Sequence, residues 1–125
     1  MSNKKTIKAL VVDDEKAVRD FLSRFLTLED IETKTVEDGF KAIEAAKKEK
    51  FDMVFLEISM FNGIEIFREL KKIIPDSDYV MMAAYLTDDL WEKAKKEGVS
   101  ICFKKPFEIN ELKQEIDRIR CLKGL

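Results

Sequence analysis

A chain of 125 residues and 14.6 kDa has room for one domain, expected to span 1–125, and none for a second catalytic module. Its 23 Lys plus Arg against 25 Asp plus Glu leave a net charge of −2, which supplies no general pull toward nucleic acid or an anionic membrane. The chain has no histidine, so an imidazole base, a phosphohistidine and a His-rich zinc site are all excluded within it.

The elements read as an alternation. Ile7 to Val12 is a short aliphatic run ending in Asp13, Asp14 and Glu15, as expected of a buried strand meeting a polar loop. Its length, with Lys8 inside it, is too short for a signal-peptide core or a membrane span even with the two lysines that precede it, so a soluble, cytoplasmic protein is expected. Val18, Phe21, Leu22, Phe25 and Leu26 then recur at helical spacing. Ile31 to Val36 is a weaker strand, interrupted by Glu32 and Lys34, which places it at or near a sheet edge. Asp38 to Glu49 returns to helix with a small apolar face of Ala42, Ile43, Ala45 and Ala46.

Met53 to Leu56 is continuous and apolar, the pattern of a central strand, and it stops at Glu57. Asn62-Gly63 marks a turn, and Ile64, Phe67, Leu70, Lys71 and Ile74 trace a helix that Pro75 stops. Tyr79 to Ala84 reads as a strand, Asp88 to Glu97 as a helix closed by Gly98, and Ile101 to Phe103 as a short fifth strand. A last helix from about Glu108 to Leu122 carries one docking stripe of Ile109, Leu112, Ile116 and Ile119. Five strands alternating with five helices imply a doubly wound α/β fold with a parallel sheet and a ligand crevice at the carboxyl ends of the strands. Asp13, Asp14, Glu57, Ala83 and Lys105 all fall at those ends. Asp14 alone could be a helix cap, but several carboxylates in one crevice need a cation or a lysine among them, and Mg²⁺ suits such oxygens. Cys102 and Cys121 lack CxxC spacing and suit reduced thiols.

Along nearly its whole length the sequence resembles the receiver domain of bacterial two-component response regulators. The residues that carry the likeness are LVVDDE at 10–15, FDMVFLEISM at 51–60, MMAAY at 81–85 and FKKPF at 103–107. The resemblance implies a flavodoxin-like sheet of strand order 2-1-3-4-5. It also implies an acidic pair that holds Mg²⁺, an aspartate phosphorylated from a phosphohistidine kinase, a lysine on the phosphoryl oxygens, and a hydroxyl plus an aromatic that report the event. Asp13 and Asp14 match the acidic pair and Lys105 the lysine. Glu57 stands where the acceptor aspartate is expected, Ala83 in place of Thr or Ser, and Cys102 in place of Tyr or Phe. The loop through Met60 and Phe61 is about two residues shorter than the family's usual run, with Phe61 in place of its proline.

These departures set the expectations. An acceptor misplaced by one methylene loses in-line geometry, so Glu57 becomes a permanent carboxylate near Lys105. Asp13, Asp14 and Glu57 are expected to bind Mg²⁺ only weakly. The leading reading is a stand-alone, atypical receiver that is not an enzyme, acts as monomer or weak dimer, and binds a sensor kinase or downstream effector without phosphorylation. Trp91, Lys95 and Lys104 form the expected partner face. A conventional Mg²⁺-dependent phosphoacceptor served by a histidine kinase is the alternative. A flavin or nucleotide protein on the same fold lacks support, since acidic residues rather than a glycine-rich loop follow the first strand.

Overall fold

The layering follows from the alternation of side chains along the central strands. In β3 (Met53–Glu57) every residue is buried, with Met53 and Phe55 on one side of the sheet and Val54 and Leu56 on the other. β1 (Ile7–Val12) sorts in the same way, Ala9 and Val11 joining the first group and Leu10 and Val12 the second. β4 (Asp78–Ala83) contributes Val80 and Met82 to the one and Met81 and Ala83 to the other. A computed structural model, which describes residues 6–123, shows how helices cover both faces. Lys4 and Lys5 of the N-terminal run lie outside the described residues.

α1 (Lys16–Leu28) and α5 (Ile109–Lys123) cover the first face through Leu22, Leu26, Leu112, Ile116 and Ile119. α2 (Gly39–Lys48), α3 (Gly63–Ile73) and α4 (Asp88–Lys96) cover the second through alanines 42, 45, 46 and 94 and through Ile64, Ile66, Phe67 and Leu70. With β2 (Ile31–Val36) and β5 (Cys102–Lys104) the five strands are parallel in the order β2-β1-β3-β4-β5. β2 is an edge strand, as its polar interruptions predict. Strand order reverses between β1 and β3, which opens the crevice above Asp13 and Glu57.

Local chemistry sets the ends of the helices. Asp38 caps α2 by accepting the Lys41 N–H at 2.8 Å, and Thr87 caps α4 by accepting the Leu90 N–H at 3.1 Å. Asp14 is no cap: the residue before α1 is Glu15, whose side chain makes no capping bond. Asn62 is left-handed (φ 58°), and a Cβ on Gly63 would stand 2.4 Å from the Ile58 carbonyl oxygen. The short loop from β3 to α3 therefore folds back on the end of its own strand, and glycine alone fits there.

Four sequence expectations shift. β5 begins at Cys102 and runs to Lys104, because Ile101 is 54% exposed and outside the ladder. β4 starts one residue earlier, at Asp78, which pairs with Met53. Ile109, at the open first turn of α5, is 53% exposed and drops out of the docking stripe. Phe21 is rotated off the core face of α1 and stacks on Phe25, ring centroids 6.2 Å apart.

Candidate functional site

Asp13 directly follows β1 and is fully buried, which costs solvation unless every polar atom finds a partner. Its Oδ1 accepts the Glu15 N–H at 2.8 Å, and its backbone carbonyl accepts from Arg19 Nη1 at 2.8 Å. Its Oδ2 accepts no aligned hydrogen bond but lies 2.7 Å from Lys105 Nζ, an ionic contact. The ammonium also reaches Glu15 Oε1 at 3.0 Å. The Lys105 N–H donates to the Ala83 carbonyl at 3.0 Å, which anchors the lysine to the end of β4. Burial works against the Lys105 charge and is the largest single influence, yet the contacts of the ammonium with the Asp13 and Glu15 carboxylates together outweigh it and raise the pKa above its ordinary value.

Glu57 ends β3 at 1% exposure and is satisfied quite differently. Its carboxylate accepts the Ser59 N–H at 3.1 and 3.2 Å, the Ser59 hydroxyl, and the Ala84 N–H at 3.0 Å. Ser59 Oγ in turn accepts the Ala84 and Tyr85 N–H groups at 3.1 and 3.4 Å. Backbone amides and one hydroxyl thus replace a cation as the partner of a buried charge. The expected Glu57–Lys105 pair is corrected: the long Glu57 side chain turns to the amides after β3 and β4, while Lys105 pairs with Asp13 and Glu15. Sequence reasoning missed the roles of Ser59 and Glu15, although both sit within two residues of a residue it singled out.

One carboxylate oxygen each of Asp13, Asp14 and Glu15 lie within 4.8 Å of one another. Glu15, rather than Glu57, completes this trio, since Glu57 is committed to Ser59 and Ala84. Three clustered carboxylates, one of them fully buried, offer the hard oxygen donors that a divalent cation such as Mg²⁺ takes, and Asp13, Asp14 and Glu15 would hold it.

A model of the response regulator receiver domain matches residues 9–117. The chain belongs to that family. The sporulation initiation phosphotransferase F of Bacillus subtilis is 30% identical over 119 residues, which cover 94% of this chain and 96% of that protein. The CpxR homolog of Haemophilus influenzae, a transcriptional regulatory protein, is 32% identical over 120 residues. The match covers 92% of this chain but 49% of that relative, so the chain spans about half the length of such regulators. Among solved structures, a receiver domain protein from Methanospirillum hungatei superposes with TM-score 0.87 at 19% identity, covering 96% of this chain and 98% of that one. Vibrio cholerae CheY4 gives 0.81 at 24%, covering 92% and 99%. At those identities the two structures speak for the flavodoxin-like fold alone. The family places this receiver domain in two-component signalling, with a signalling rather than a typically enzymatic role.

Around the receiver pocket, Ala83 is fully buried at the end of β4 and Cys102 is half-buried at the start of β5. Burial, then the nearby Glu57 charge, pushes the Cys102 thiol up to about 11 against a smaller opposing pull from Lys104. Trp91 is half-buried and packs on the α2–α3–α4 side of the core. It borders a shallow pocket of ≈ 410 Å³ together with Ile101, Cys102 and Lys104, while Lys95 Nζ sits 5.8 Å from its ring centroid. Among the described residues, no helix is long and apolar enough to cross a membrane.

Proposed function

We propose that this receiver domain, taken as one unit over 1–125, is a protein-binding module that works without phosphorylation, with Glu57 as a permanent carboxylate in the receiving pocket. The observation that carries the reading is the engagement of Glu57 by the Ser59 and Ala84 amides and the Ser59 hydroxyl. Phosphoryl transfer rests on positioning and charge neutralisation, and an acceptor must present a free oxygen in line with donor and cations. Both Glu57 oxygens are bonded away, and Lys105 is held by Asp13 and Glu15. Ala83 has no hydroxyl to follow a phosphoryl oxygen, and the Cys102 side chain is too small to swing as a reporter.

Incubation with a small-molecule phosphodonor and Mg²⁺ leaves the intact mass unchanged on this reading. A stoichiometric gain of one phosphoryl group, lost in Glu57→Gln, would sink it. That gain would restore the conventional reading, a phosphoacceptor served by a histidine kinase, which the retained Asp13, Asp14 and Lys105 favour.

Mg²⁺ binding is expected to be weak. Lys105 already neutralises Asp13 and Glu15, so a cation competes with an ammonium for the same oxygens, and Mg²⁺ tolerates poor geometry badly. A titration followed by Trp91 fluorescence should not saturate at submillimolar Mg²⁺; saturation there would contradict the ligand set.

The partner, a sensor kinase or downstream effector, docks on the face of Trp91, Lys95 and Lys104, a half-buried aromatic beside exposed basic side chains. Capture of the partner from the native cell should fail with Trp91→Ala and with Lys104→Glu and be indifferent to phosphodonor; equal recovery with both variants would move the interface. A monomer or weak dimer in the cytoplasm, with no nucleic-acid role, completes the reading. Its support is two free thiols among the described residues and a net charge of −2.

A further inference from the structure

On the other side of the acidic cluster, α2 and the loop from β3 to α3 leave two phenylalanines in solvent: Phe40 is 74% exposed and Phe61 87%. Both border one groove of ≈ 430 Å³, with Ile43, Met60 and Ile66 lining it between them. A single exposed apolar residue is ordinary, but two aromatic rings on one apolar groove form a patch of the kind that marks a binding surface. The backbone beneath them is firmly set. A Cβ at Gly39 would stand 2.1 Å from Ile66 Cδ1, so glycine lets the first turn of α2 lie directly on α3. The Asp38 cap fixes the start of α2, and the tight Asn62-Gly63 turn fixes the position of Phe61.

The charges at the groove choose its occupant. Asp14, Glu37 and Asp38 line it, and Lys41 offsets part of this by pairing with Glu37. The groove therefore pairs apolar anchors with a net acidic rim, the opposite sign from the lysines beside Trp91. Its walls are a helix, a helix and a loop, so it offers side chains rather than a free strand edge.

We infer that this groove is a second docking site, separate from the Trp91 face, and that it takes an amphipathic helix of a protein partner. The helix presents two apolar or aromatic residues three or four positions apart to Phe40 and Phe61, with Lys or Arg beside them to meet Asp14 and Asp38. The inference uses the receiver fold but stands whether or not Glu57 accepts a phosphoryl group.

A displayed library of helical peptides, selected on the full chain and counter-selected on the Phe40→Ser, Phe61→Ser double variant, tests it. The expected winners carry an apolar pair flanked by Lys or Arg. They lose about tenfold or more in affinity with either single variant, since buried aromatic anchors dominate such contacts. They weaken several-fold with Glu37→Gln plus Asp38→Asn, in which asparagine keeps the helix cap, and weaken further as salt is raised. Both rings are exposed, so the variants should melt like the parent, which a thermal scan checks. Winners that bind the variants equally, an acidic or uncharged consensus, or no enrichment would each overturn the inference. Self-association that Phe61→Ser abolishes would assign the groove to a second copy of the chain and overturn it as well.

Discussion

A single methylene distinguishes Glu57 from the aspartate that the receiver family places there, and its effect is to redirect a charge. The longer side chain reaches the Ser59 and Ala84 amides, which no sequence displays, because backbone N–H groups on separate loops carry no letter of their own. That Asp13, Asp14, Glu57 and Lys105 gather at the carboxyl ends of the strands was legible. How Glu57 and Lys105 divide their partners was not, since it depends on which carboxylate the Lys105 ammonium meets first in space. The same carboxylate acts on Cys102, whose thiol burial and the Glu57 charge raise to about 11 from an ordinary 9.0. Two pK units cut the thiolate fraction at pH 8 roughly a hundredfold, and the thiolate is the nucleophile. Iodoacetamide at pH 8 should therefore label exposed Cys121 well before half-buried Cys102, and Glu57→Gln should speed labelling of Cys102. Peptide mapping that finds Cys102 alkylated first would refute this account of the pocket's charge.

At the scale of single elements, periodicity predicted every strand and helix, and the misses cluster where packing rather than pattern decides. Ile101 and Ile109 look like core residues in sequence, yet Ile101 precedes the first rung of β5 and Ile109 stands on the open first turn of α5. The start of α2 was better signalled, because an aspartate three residues before its amide partner is a chemical feature rather than a statistical one. That cap starts the helix whose first turns carry Phe40 and Ile43 to the groove. Asp38→Ala should cost about 1 kcal/mol of stability in urea unfolding, whereas Asp38→Asn should be nearly neutral because its side chain caps equally well. Equal losses in the two variants would mean that Asp38 acts through its charge on the helix dipole and not through the bond to Lys41.

Across the molecule, the α1–α5 layer is tied by charge as well as by its apolar core, and this gives stability a defined pH dependence. Glu29 closes α1 and meets Lys113 at 3.2 Å and Arg120 Nη1 at 3.2 Å, while Arg120 Nη2 donates to the Glu29 carbonyl. The hydrogen bond from Lys113 is the largest influence; with Arg120 it overcomes burial and lowers the Glu29 pKa below 4.5. A depressed carboxylate stabilises the fold fully above its unfolded pKa, and that contribution is lost as pH falls through the folded value. Lys105 has the reverse sign, since its raised pKa gives stability present below 10.5 and lost as pH rises beyond it. With no imidazole to titrate between these limits, a broad plateau through neutral pH is expected. Glu29→Gln should cost up to about 1 kcal/mol at pH 7, held to that size by solvent around the pair. The gap to the parent should close as pH is lowered from 5 to 3, because protonation then removes the same charge from both proteins. Urea unfolding of the two proteins across that range measures it, and a gap that persists undiminished at pH 3 would show that Glu29 holds α1 to α5 by shape rather than by charge.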